Sequence, residues 1–120
     1  MGGDQYDWDR PPRLSQANVR NVAHHAWVSW WSYVKDRYES ADREGSPVHM
    51  HEVLWKNNRD AVVYWAAVEV LGEDKTEWLQ ESQLDTLREQ ATREAKRALM
   101  AQLRVGDPLA IRFYADATGR

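Results

Sequence analysis

Arg20, His24 and Glu69 are side chains whose types could do chemistry together. A guanidinium, an imidazole and a carboxylate can hold an anion, clamp one another, or pass a proton. Arg20 and His24 are one helical turn apart, at the edge of a stripe centred on Trp27, and Glu69 lies one turn beyond Trp65. In two antiparallel helices joined by a short connection, residues whose numbers sum to about 91 lie at one level. That register sets Trp27 opposite Tyr64 and Trp65 and brings the three polar groups together beside them. A carboxylate at the rim of an aromatic core needs such compensation. Arg20, His24, Trp27, Trp31, Trp65 and Glu69 are therefore the candidate binding residues. They read first as a clamp that fixes helix register and second as the wall of an aromatic pocket between helices one and two.

Other chemistries find less support. Neighbouring His24 and His25 point about 100° apart on a helix, and His49 and His51 diverge further, so neither pair can chelate from a regular helix. His49 with Glu52 has one-turn spacing, but di-iron bundles carry the pattern from Glu to His and repeat it on two helices. No metal site and no cofactor is expected. The chain has no cysteine, which removes disulfides and thiolate chemistry and makes a cytoplasmic setting the default. No phosphate-cradling glycine loop or nucleophile elbow occurs, so no catalytic residue is assigned.

The elements that must position these groups are helical. From Ser15 to about Arg43 there is no Gly or Pro, and Val19, Ala23, Trp27, Trp30, Trp31, Val34, Tyr38 and Ala41 fall on one face. Read as a strand, "VSWWSYV" separates nothing. Core filling accounts for most of the aromatic run "HHAWVSWWSYVKDRY". "EGSP" then breaks the chain, and a second helix is expected from Pro47 to Leu71, with Met50, Leu54, Ala61, Trp65 and Val68 at the centre of a broad apolar side suited to the middle of a bundle. Thr76 can cap a third helix running to about Val105, stopped by Gly106-Asp107-Pro108. The expected fold is all-α, with three long helices at about 15–43, 47–71 and 76–105 in an antiparallel bundle. Residues 1–14 read as an extended arm, 15–106 as the bundle, and 107–120 as a C-terminal arm whose alternating Leu109, Ile111 and Phe113 fit a short strand or an extended segment.

Composition narrows the function. Seven Trp and five Tyr stand against one Phe, an inventory weighted to rings with a polar handle, which suits interfaces as well as cores. Arg93, Arg97 and Arg104 share a stripe of helix three with Met100 beside them, read as a solvated face or a docking stripe. With Trp8, Phe113 and Tyr114 on the two arms, they make the candidate interface. The net charge of −3 lacks the basic bias of a duplex-binding domain. The opening "MGGDQYDWDRPPRL" does not suit a signal peptide, and no apolar run suits a membrane span. These features point to a soluble, non-enzymatic helical protein that acts through a protein partner or its own copies, most simply as a homo-oligomer. The alternatives are a bundle with a ligand pocket or active site, and a protein that stacks single-stranded nucleic acid on Trp.

Overall fold

A computed structural model describes residues 12–119 of the chain as an all-α fold. The longest helix, α1 (Gln16–Glu44), starts where the Ser15 hydroxyl accepts the Asn18 amide at 3.0 Å. It ends at Gly45, whose φ of 69° is a left-handed turn that only glycine adopts without strain. Between these caps, Val22, Ala23, Ala26, Trp27, Trp30, Trp31, Val34, Tyr38 and Ala41 are all buried.

The second expected helix is interrupted. After the short α2 (Met50–Val53), Leu54 is extended with ψ 140°, and α3 (Trp55–Leu71) starts afresh. No proline or glycine forces this break. Its stranded carbonyls are taken by side chains instead: Trp30 Nε1 donates to Val53 O at 2.8 Å, Asn57 Nδ2 to His51 O at 2.8 Å, and Asn58 Nδ2 to Glu52 O at 2.9 Å and Leu54 O at 2.8 Å. Because buried carbonyls must find donors, two asparagines and an indole make an interruption affordable where an unbroken helix would otherwise win.

The third expected helix is split as well. Thr76 caps nothing; it is buried inside α4 (Glu73–Glu77), with its hydroxyl donating to Gly72 O at 2.8 Å. The long helix α5 (Glu81–Arg104) begins after Gln80, whose amide donates to Gln83 Oε1 at 2.9 Å. The tail is neither strand nor extended arm but helix α6 (Pro108–Ala117), with Asp107 as N-cap and Pro108 in its first turn. Burial of Ala110 and Phe113 holds α6 to the body, and that pattern repeats at three residues rather than two.

The middle of the fold is α1, not the second expected helix. It packs along both α3 and α5, which touch each other less. Toward its N-terminus, Val22, Ala23 and Ala26 meet Val63, Ala66 and Ala67 of α3 and Leu87 and Ala91 of α5. Toward its C-terminus, Trp27 to Tyr38 meet Val53, Ala95, Ala98 and the α6 residues Ala110 and Phe113. So α3 runs back along α1, and α5 runs with it.

Candidate functional site

The expected trio of Arg20, His24 and Glu69 does not assemble as an ion-paired clamp. Arg20 and Glu69 are both exposed, and no ion pair joins them among the described residues. His24 faces α5 instead, with Nδ1 3.8 Å from Glu94 Oε2, and Arg97 grips the same carboxylate through two contacts of 3.0 and 2.8 Å. Arg97 first, with His24 adding to it, holds the Glu94 carboxyl below the ordinary carboxylate range against the opposing effect of burial. Trp27 and Trp31 are buried and stacked on each other at 5.5 Å, which makes them core rather than pocket wall. Trp65 is the reverse case, 64% exposed.

The cause is a rotation of α3. Its inward face is Val63, Ala66, Ala67 and Val70, while Asn57, Ala61 and Trp65 lie outside. Opposite this stretch α1 offers Val22, Ala23 and Ala26, and helices that approach this closely have room for methyl groups but not for an indole. The stripe of Ala61, Trp65 and Val68 expected in the core is therefore centred on the outer face. Since α3 from Ala61 onward is apolar nearly all round, periodicity alone does not choose between its sides. The small pair Ala66-Ala67 was the available signal.

The candidate interface residues are also placed. Arg93, Arg97, Met100 and Arg104 are exposed along α5, with Arg93 bonded to Gln90 and Arg97 to Glu94. Phe113 is no interface residue of an arm: its ring meets Trp30 at 5.5 Å and Trp31 at 5.8 Å, edge to face, in the core. Tyr114, beside it, is 36% exposed. Trp8 lies outside the described residues.

What the geometry exposes most plainly is the outer face of α3. Tyr64 stands edge-on to Trp65 with ring centroids 5.4 Å apart, and the contact limits the freedom of the exposed indole. Ala61, one turn earlier on the same exposed face, carries only a methyl group beside this ring. Charges sit at the borders: Asp60 is held by Arg59 at 2.8 Å and approached by Arg88 at 3.4 Å, and Glu69 follows Trp65. Arg88 is a brace between helices, since it also reaches Glu81 at 2.7 Å and Asp85 at 3.0 Å from a side chain only 18% exposed.

Among the described residues no helix is long and apolar enough to cross a membrane, and no group of three or more His, Asp or Glu is arranged to hold a metal ion. Comparison with known proteins finds no matching family model, no matching curated protein and no matching solved structure.

Proposed function

We propose that this chain is a non-enzymatic helical protein that acts by pairing with a second copy of itself through the outer face of α3. The observation that carries this reading is the exposed Trp65, braced by Tyr64. A large ring held out in water is a cost that burial in an interface removes, and Trp is the residue type most enriched among binding hot spots.

The face is complementary to itself. When two α3 helices meet antiparallel about a twofold axis, Trp65 of each copy lies over Ala61 of the other, ring against methyl group. The same register sets Asn57 against Glu69, so an amide meets a carboxylate and no like charges face each other. Burying the remainder of each indole contributes about 2 kcal/mol, and two of them with their flanks offset the lower end of the association cost of about 4 to 15 kcal/mol. The net gain left after that cost is small, so pairing should be weak and should shift with concentration.

Light scattering across a dilution series tests this. The full chain should move from twice its 14.0 kDa mass toward 14.0 kDa on dilution, and Trp65→Ser should remain a single chain at every concentration with an unchanged helical spectrum. A wild-type chain that stays at 14.0 kDa throughout contradicts the reading.

A further inference from the structure

A cleft of about 470 Å³ opens where the first turn of α3, the middle of α5 and the end of α6 meet, far around α3 from the Trp65 face. Its open walls are Trp55 and Leu99, the buried rings of Trp30 and Phe113 close its floor, and Lys56 and Lys96 stand among its lining residues. Among the described residues, no Asp or Glu lines it.

The polar handles of these walls are already used. Trp30 Nε1 is bonded to Val53 O at 2.8 Å, and Trp55 Nε1 to Thr92 Oγ1 at 2.9 Å. The Thr92 hydroxyl in turn donates to Arg88 O at 2.8 Å. The cleft therefore presents ring faces and methyl groups, with nothing left over to bond the body of a polar ligand. Its charge is all of one sign. Lys56 and Lys96 are exposed, and neither is in an ion pair with another described residue. The first turn of α3, which forms one wall, has no acidic residue and no side-chain cap, so the positive end of that helix dipole adds to the two ammonium groups, with the C-terminal end of α6 at Ala117 opposing it.

We infer that this cleft binds a small amphipathic carboxylate, with a hydrocarbon body seated against Trp55 and Leu99, over the nearly closed floor of Trp30 and Phe113, and its anionic head held by Lys56 and Lys96. An uncharged apolar compound leaves the lysines unused. A polar anion gains nothing from the rings, and a cation is repelled. The occupant is thus defined by both halves of the cleft, as small-molecule sites are, apolar walls giving affinity and a few charges giving orientation. This site is independent of the pairing face.

Calorimetric titration of the full chain with decanoate and with decanol, at low and high salt, tests the assignment. Expected is one decanoate per chain, bound at least about tenfold tighter than decanol at low salt, with the preference shrinking as salt screens the lysines. In Lys56→Gln/Lys96→Gln the preference should vanish while decanol binding persists. Ala117→Trp, which adds bulk at an exposed position lining the cleft, should weaken both ligands. Equal binding of alcohol and carboxylate, uptake of decanoate without saturation at one per chain, or a preference that survives loss of both lysines would each overturn it. Because each readout is per chain, a failure here leaves the pairing measurement untouched.

Discussion

The two ends of α1 solve the same packing problem with opposite materials. Toward its N-terminus the helices meet mostly on methyl groups: Val22, Ala23 and Ala26 against Ala66, Ala67 and Ala91, with Leu79 and Leu87 as the large buried side chains. Toward its C-terminus they meet on rings: Trp27, Trp30, Trp31 and Tyr38, closed by Phe113 of α6. Methyl groups let helix axes come close, so two neighbours suffice to bury the N-terminal end. Rings hold helices apart, and a further helix is needed to cover them. The difference explains why α6 folds back over this end, why α3 is interrupted beside Trp30, and why the apolar cleft lies here rather than between α1 and the middle of α3.

Removing a ring should have the largest effect. Trp30 is 2% exposed and touches Trp27, Trp31, Trp55 and Phe113 while holding the Val53 carbonyl at the break. Trp30→Ala should cost about 3 to 5 kcal/mol, measured by denaturant unfolding, and Trp30→Phe less, because it keeps a ring and loses the donor. A cost below about 1 kcal/mol for Trp30→Ala would mean that the aromatic end is loosely packed and the contrast between the ends is false.

Adding bulk at the methyl end comes next. Ala26 and Ala67 are fully buried, so Ala26→Leu should destabilise by about 1 to 3 kcal/mol through overpacking, although leucine is the more hydrophobic residue. A stabilised Ala26→Leu protein would show that the helices there are not in close contact.

The smallest effect concerns how α6 is fastened. Tyr38 donates to Asp116 Oδ2 at 2.7 Å, and Arg112 lies over its ring at 4.7 Å while bonding Asp42 through two contacts of 2.9 Å. Burial first, then the bond to Asp116 and the charge of that carboxylate, push the Tyr38 hydroxyl well above its ordinary range, with Arg112 opposing. A phenol that keeps its proton longer in the folded state contributes stability in full below its unfolded value of about 10, and that contribution is lost as pH rises beyond it. Tyr38→Phe should therefore cost about 1 kcal/mol at neutral pH, and its stability should decline less steeply than the parent's above about pH 10. Parallel alkaline limbs in thermal melts of the two proteins would show that the bond to Asp116 is not made in solution.

How much of this the sequence carried depends on where each helix draws its information. The buried face of α1 was legible because its stripe is uninterrupted and its caps, Ser15 and Gly45, are local signals. The all-α class followed from the same periodicity. The break at Leu54 was hidden because it depends on Trp30, a residue more than twenty positions away in the chain, and on the Asn57-Asn58 pair, which reads as ordinary helix surface. The rotation of α3 was hidden for a related reason: its sides are similarly apolar, and only the demand for small residues against Val22, Ala23 and Ala26 selects Ala66 and Ala67 over Trp65. The same rotation carries Glu69 to the outer, exposed side of α3, away from the expected trio with Arg20 and His24. The alternation of Leu109, Ile111 and Phe113 misled because a short amphipathic helix and a strand share positions over so few residues.

The outer face of α3 is where the proposed pairing stands or falls, and its register can be measured directly because the chain has no native cysteine. A nitroxide attached at Glu69→Cys, exposed and clear of the Trp65 contact, reports the distance between copies by pulsed electron resonance. In the antiparallel pairing Glu69 of one copy lies opposite Asn57 of the other. The two labels are then separated by about twelve residues of helical rise, a distance of roughly 20 Å, and the signal should disappear when Trp65→Ser is added. A wild-type face that gives no distance between copies at all, or one unaffected by Trp65→Ser, would contradict the pairing.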